Sequence, residues 1–330
     1  MNWFHFSWQN FWFSFLALAF EGLPFVLVGS LISGFIAAFI PSRMITRFLP
    51  KNRFLATLVS GLLGLIFPVC ECGVVPVVRR LLDKGLPLSC GLTYMLASPI
   101  VNPLVAISTY AAFRGQQPAL NTIIRLISGY SVAVIVGLAV SRLDPARLLG
   151  GRALPTRSPL SPRLEKTSRR RTALSIAALP DAPDASRGVS IVQRVIGAVQ
   201  LASDDFIDTA IYFMIGAAVA SVLNTAVDQR IILPLASSPI LSVVAMMVIA
   251  GILTLCSTSD AFIAATFTSF PIPARMAFLV FGPMFDFKLL FLYSALLKKR
   301  MVVALGVGLF IVVGVLCTAF LPAIYAHFGS

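Results

Sequence analysis

The 330-residue chain is 58% hydrophobic and only 12% charged, with a mean hydropathy of +0.91, which excludes an average soluble domain and marks a polytopic membrane protein whose first partner is the lipid bilayer. Its formal net charge of +13 sits in short loops and one linker, so it describes cytoplasmic flanks and no nucleic-acid partner is expected. Five cysteines, at 70, 72, 90, 256 and 317, lack the even spacing of a disulfide framework and read as free thiols.

The N-terminus MNWFHFSWQN has neither a basic n-region nor a small-residue cleavage site, so no removable signal peptide is expected. Residues 11–40 form an apolar segment whose only charge is Glu21. It exceeds the roughly 30 Å hydrocarbon core at about 1.5 Å per residue, which predicts tilting or a kink at Pro24. Trp3, Trp8 and Trp12 suit a headgroup belt, and the basic loop of Arg43, Arg47, Lys51 and Arg53 follows. Segments 54–68 and 73–82 are too short to span comfortably and are separated by VCEC, whereas 86–113 and 122–140 are each long enough to cross.

From 142 to 194 Pro, Ser, Ala and Arg dominate, with Arg169, Arg170 and Arg171 consecutive; this is the composition of a basic cytoplasmic linker between a first membrane half, 1–141, and a second, 195–330. Apolar residues at helical spacing over 189–201 suggest a surface helix before Asp204, Asp205 and Asp208. The second half, with apolar segments 207–227, 240–255, 261–270, 276–297 and 301–323, repeats the first. EGLPFVLVGSLISG from Glu21 matches DTAIYFMIGAAVAS from Asp208, FPVCEC matches LTLCST, GLP at 85–87 faces PIP at 271–273, and ASPIVNP matches FGPMFDF, pairing Cys70 with Cys256 and Asn102 with Asp286.

The basic residues predict orientation. If the VCEC segment dips into the membrane and returns, Arg43 to Arg53, Arg79 to Lys84, the linker and Lys298 to Arg300 all face the cytoplasm, leaving Arg114, Arg125, Arg230 and Arg275 outside. Each half then has three crossings and a re-entrant piece, which makes the halves inverted repeats. Eight full crossings in a parallel arrangement is the alternative.

The stretch FPVCECGVVPVVRRLLDKGLPLSCGLTYMLASPIVNP interrupts its own hydrophobic runs with prolines, glycines and a carboxylate, which at membrane depth costs about 2.5–3.5 kcal/mol. Such a broken helix persists where protein or a wet cavity surrounds it. Cys70 and Cys72 are soft ligands suited to a metal such as copper(I) or zinc, or to trivalent arsenic; extended backbone would put them on one side, and Cys90 could add a third thiol if the hairpin folds back. The alternative reading of a buried cysteine is a small hydrophobe, which fits Cys317. Glu71, Glu21, Asp208, Asp260 and Asp286 are intramembrane acids suited to proton or cation exchange, with capping or an interfacial position as the alternative. Asn102 and Asp286 are candidate substrate contacts, with Lys288 either interfacial or paired to Asp286. No nucleotide-binding loop and no Ser–His–Asp arrangement is present, so no cofactor and no enzyme activity are expected and transport must draw on an ion gradient or a partner.

FPVCECGVVP followed by GLPLSCGLTYMLASPIVNP resembles the signature of the predicted permease family that includes ArsP-type methylarsenite efflux permeases and YraQ-like permeases. The resemblance covers both membrane halves but not the linker. It implies transport of trivalent organoarsenicals through cysteines that map onto Cys70 and Cys72, with Glu71 standing where arsenical permeases tend to carry a small residue. The reading is therefore an all-α polytopic permease of two related halves with broken or re-entrant helices, exporting a soft thiol-reactive solute. Cys70 and Cys72 bind it, Glu71 exchanges a proton, and Asn102 and Asp286 line the cavity. Alternatives are a membrane subunit of a two-subunit permease complex, a homo-oligomer, or a thiol redox membrane enzyme cycling Cys70 and Cys72.

Overall fold

The computed structural model describes residues 7–41, 50, 52–66, 69–142, 191–226 and 238–328. Arg43, Arg47, Lys51, Arg230, Trp3, His5, Pro68 and nearly all of the 142–194 linker lie outside the described residues. Those described form helices and connecting turns, so the fold is all-α, and five helical stretches are long and apolar enough to cross a membrane.

The first half contains α1 (Trp8–Phe39), α2 (Arg53–Ile66), α3 (Val74–Asp83), α4 (Leu88–Ala97), α5 (Pro103–Ala112) and α6 (Pro118–Val140). The second contains α7 (Ile191–Ala226), α8 (Pro239–Leu253), α9 (Asp260–Thr266), α10 (Ile272–Met284), α11 (Phe287–Tyr293) and α12 (Lys299–Val315), the last continuing through a π turn, Leu316–Phe320, into α13 (Leu321–Phe328). Helix α1 runs on through Pro24 as one element. The 189–201 stretch is not a separate surface helix: from Ile191 onward it forms the first turns of α7.

The duplication is visible in backbone chemistry. The Cys70 carbonyl accepts from the amides of Gly73 and Val74, and the Cys256 carbonyl accepts from those of Ser259 and Asp260. Asn102 and Asp286 are both extended N-caps, accepting from Leu104 N at 3.0 Å and Leu289 N at 2.6 Å. These caps satisfy the free amides where the backbone breaks. They divide 86–113 into α4 and α5, and 276–297 into α10 and α11. Pro87 and Pro271 are the matching caps of α4 and α10, so the GLP and PIP correspondence is displaced by two residues from the expected register.

Equivalent helices run in opposite directions. Along α1 and α7, Ser14 meets Asn224, Gly22 meets Phe213, Ser33 meets Asp205 and Gly34 meets Ala198. Asn121, early in α6, accepts from Tyr325 Oη, late in α13, at 2.6 Å. Two similar halves whose corresponding helices are antiparallel are inverted repeats.

The same contacts bear on the number of crossings. Lys84 Nζ donates to the carbonyls of Ala37 and Ile40 at 2.8 and 2.6 Å, so the hairpin of α2 and α3 leaves on the side where α1 ends. Its tip reaches only the middle part of α1: a Cβ on Gly29 would come against the Gly73 carbonyl oxygen. Gln116, between α5 and α6, meets Ala265 and Arg275, so the hairpin of α8 and α9 returns on the opposite side. The α6, α10–α11 and α12–α13 paths join α1 and α7 as the five stretches long enough to cross, and the broken α4–α5 path runs between the same two sides, the arrangement expected of six crossings. Arg79, Arg80, Lys84 and Lys298 to Arg300 share one side, which the positive-inside rule assigns to the cytoplasm. Arg125 departs from the expected placement: it is 1% exposed and lies inside the protein. A single cysteine at Lys84 in a thiol-free background is therefore expected to react with an impermeant maleimide only in inside-out vesicles; labelling of intact cells would restore the eight-crossing arrangement.

Candidate functional site

The two hairpin tips meet. Ser257 Oγ, in the second tip, donates to Glu71 Oε2, in the first, at 3.3 Å. Around this contact a narrow cleft is lined by Leu18, Glu21, Gly22 and Phe25 of α1, by Cys70, Glu71 and Cys72, by Cys256, and by Lys288 of α11. Glu71, Cys72 and Cys256 are buried and Cys70 is half-buried.

Cys70 and Cys72 both line the cleft, but not through extended backbone. The segment is a tight turn closed on the Cys70 carbonyl, and the two cysteine side chains interact with each other across it. The second tip repeats this arrangement with Cys256 Sγ 3.5 Å from Thr258 Oγ1. The third thiol of the cleft is thus Cys256. Cys90 packs elsewhere, with Ala56 and Leu86 at the α2–α4 contact, because the chain continues away from the hairpin after Pro87. Cys317 is enclosed by core side chains, as its small-hydrophobe reading predicts.

The charged residues form two buried groups. In the first, Lys288 Nζ lies 3.5 Å from Glu71 Oε1 and 3.8 Å from Asp286 Oδ2, with side-chain exposures of 4%, 2% and 1%. Asp286 reaches the cleft only through Lys288, its other oxygen being occupied by the cap. In the second, Arg125 donates from Nη2 to both Asp260 oxygens and to the Ser257 carbonyl at 2.9 Å, and from Nη1 to Thr109 Oγ1 at 2.7 Å. Arg125 therefore ties α5 and α6 of the first half to the tip of the second. Asp260 opens α9, and its side chain serves Arg125. Glu21 is exposed at the cleft's edge, accepting from Ser259 Oγ at 3.4 Å. Asn102 is buried but, among the described residues, is not part of the cleft lining; its oxygen is engaged at the α5 cap.

Of the residues singled out from the sequence, the structure brings Cys70, Cys72, Glu71 and Glu21 to one cleft, places Asp286 behind it, and sets Asn102 at a helix cap and Asp260 in an ion pair. Sequence reasoning misses Cys256, Ser257, Lys288, Arg125 and Asp205 as participants. For Cys256 the duplication itself was the available signal. Asp205 is 2% exposed, held bidentately by Arg80 at 2.8 and 2.9 Å and by Ser33 at 2.6 Å, while Arg79 pairs with the more exposed Asp208 at 3.4 Å. This network closes the basic side between α1, α3 and α7.

Chemically the cleft offers soft thiols, a carboxylate and an ammonium within one water-poor space. Among the described residues, no group of three or more His, Cys, Asp or Glu side chains is arranged to hold a metal ion. Thr254, which ends α8 at φ 49°, is a β-branched residue in the left-handed region; such a conformation costs about 1–2 kcal/mol and sits here two residues before Cys256.

A family described as a predicted permease (ArsP_1) matches residues 7–321. The chain is 36% identical over 294 residues to the UPF0718 protein YcgR of Bacillus subtilis (strain 168), covering 87% of this chain and 89% of that protein. It is 29% identical over 289 residues to a putative two-component membrane permease complex subunit of Streptococcus mutans serotype c, covering 87% of each. No solved structure matches the chain.

Proposed function

We propose a transport reaction for this chain, which belongs to the predicted permease family: outward movement of a small, soft, thiol-reactive solute or metal or metalloid species through the central cleft, driven by an ion gradient. Family membership points to a transporter rather than an enzyme. Cys70, Cys72 and Cys256 contact the cargo and Glu71 exchanges a proton. The observation that carries this reading is the convergence of three thiols, from both halves, on one cleft with a buried carboxylate at the meeting point of two broken hairpins. Inverted-repeat transporters bind cargo where discontinuous helices meet near the bilayer midplane, and rock one part against another around that site. The Arg80–Asp205 network would then be a gate that separates when the site opens to the basic side.

The test is flux of a trivalent organoarsenical into inside-out vesicles at subsaturating concentration. Changing Cys70, Cys72 or Cys256 singly to Ser is expected to lower flux about tenfold or more, the equivalent of about 1.4 kcal/mol of lost contact. Cys317→Ser is expected to leave it within about twofold, since that thiol touches only core. Equal flux in all four variants at matched expression would remove thiol binding from the proposal.

The name of the Streptococcus mutans relative supports a second reading, in which this chain is the membrane subunit of a two-component permease. Flux through the purified chain in proteoliposomes, measured against flux in native vesicles, separates the two.

A further inference from the structure

The two halves do not hold the α1–α7 pair equally. Helix α1 packs on α3 and α7 packs on α11, whereas the equivalent pairs, α7 with α9 and α1 with α5, form no packed interface among the described residues. Gly29 and Gly216, which occupy matching positions in α1 and α7, carry the difference. Gly29 lies against the Gly73 backbone in the first hairpin tip, while Gly216 lies against α11, where a Cβ would come 2.8 Å from the Lys288 carbonyl oxygen and 3.3 Å from Phe291 Cβ. The matching caps Asn102 and Asp286 set Leu104 of α5 against Lys288 of α11, and Ile107 against Phe291. Leu104 and Ile107 are 61% and 67% exposed, yet Lys288 is buried and Phe291 half-buried. The bare face of α5 is thus the face by which its twin holds α7.

Resting on the transport reading above, we propose that this face of α5 is the docking site of α1 in a second state of the transport cycle, and that the arrangement described here is the state closed to the basic side. The repeat fixes the occupant: α11 receives α7, so α5 receives α1, with Gly29 on Leu104 and Gly216 on the second hairpin tip. Glycine at both positions lets helix and neighbour meet backbone to backbone in either arrangement. Helices α1 and α7 travel together, since they are packed closely at Gly22 against Phe213 and at Gly34 against Ala198. The hairpin tips stay joined through Ser257 and Glu71, and Arg125 ties the second tip to α5 and α6. Docking α1 on α5 therefore draws Asp205 away from Arg80 on the basic side and covers the cleft edge at Glu21 on the other. Access to the thiols passes from one face of the membrane to the opposite one by an exchange of two discrete packings.

Tyr212 and Ala295 line one recess at the α7–α11 contact, and their equivalents are Phe25 and Ala111. Two full-length chains, one with Tyr212→Cys and Ala295→Cys and the other with Phe25→Cys and Ala111→Cys, are treated in membrane vesicles with a short bismaleimide. Linked peptides are identified by mass spectrometry, which distinguishes them from products of the native thiols. The 212–295 link is expected to form readily and reports the described state. Adding Asp205→Asn, which takes the charge from the partner of Arg80, is expected to raise the 25–111 link about threefold or more and to lower the 212–295 link, because the gate no longer favours one packing. Arg80→Gln is expected to act in the same direction and serves if Asp205→Asn does not fold. A 25–111 link that forms in no background while 212–295 links normally overturns the docking and leaves the transport reading standing. Yields that ignore both gate variants, or that rise and fall together, overturn it as well. Links that respond in opposite directions in a chain that moves no organoarsenical overturn the transport reading and keep the two packings.

Discussion

Replacing Arg125 with methionine is expected to destabilise the protein by about 3–5 kcal/mol, the usual consequence of removing one partner of a buried ion pair. The guanidinium is 1% exposed and makes four hydrogen bonds, to both oxygens of Asp260, to the Ser257 carbonyl and to Thr109 Oγ1. Without it Asp260 is a buried carboxylate that has lost its counter-ion, and a backbone carbonyl and a hydroxyl each lose a donor. Helix α5, α6 and the tip of the second hairpin lose their common tie. The loss is measured as the temperature at which the monodisperse chromatographic peak disappears in detergent. A double variant, Arg125→Met with Asp260→Leu, is expected to recover most of it, since the stranded charge is then gone and well-packed apolar groups replace a buried pair at little net cost. If the single variant survives heating as the wild type does, the pair does not hold the halves together.

Glu71→Gln is expected to abolish the pH dependence of flux while leaving cargo affinity within about tenfold. The amide keeps the size and the acceptor for Ser257 Oγ but cannot carry a proton between the two sides. The charged and titratable groups facing Glu71 come from every element around it: Cys72 in its own turn, Cys256 and Asp260 in the second tip, and Lys288, Asp286 and Tyr293 in α11, with Glu21 of α1 lining the same cleft. Asp260 is fully engaged by Arg125 and Asp286 by its helix cap, which leaves Glu71 as the buried acid with the loosest bonds, at 3.3 and 3.5 Å. Uptake into inside-out vesicles across a series of imposed pH differences is the measurement. Wild-type pH dependence in the variant would transfer the coupling role to Glu21, the acid at the cleft's edge.

Much of the fold was legible because membrane solvation leaves few solutions: apolar length marks crossings, and basic residues mark one side. The re-entrant first hairpin followed from Arg79, Arg80 and Lys84, and Lys84 indeed returns to the end of α1. The second hairpin was harder to see, since LTLCST contains neither proline nor glycine. Its break is made by Thr254 in a left-handed conformation that residue propensity disfavours, and only the match to FPVCEC revealed it. Arg125 looked like an external loop cation because charge alone decided its side. Its burial depends on Asp260, which lies 135 positions away and is brought near only by the packing of two halves. Lys288 was ambiguous for the same reason: beside Asp286 it suggested a local pair, whereas the decisive partner, Glu71, is 217 positions away. Asn102 and Asp286 stand out in the sequence as polar residues in apolar surroundings, and in the structure both cap a backbone break.

Equivalent positions of the two halves, Glu71 and Ser257, touch each other. Residues related by a twofold operation can meet only where its axis passes, so the pseudo-symmetry axis runs through the cleft itself. A cavity on such an axis sees the same architecture in both directions, one copy toward each face of the membrane. The backbone plan is consequently without polarity, and any vectorial preference must come from positions at which the copies differ, among them Glu71 against Ser257, Cys72 against Thr258 and Asn102 against Asp286, from the Arg80–Asp205 network on one side, and from the gradient imposed across the bilayer. Exporter and importer are, for such a chain, two operating conditions of one machine.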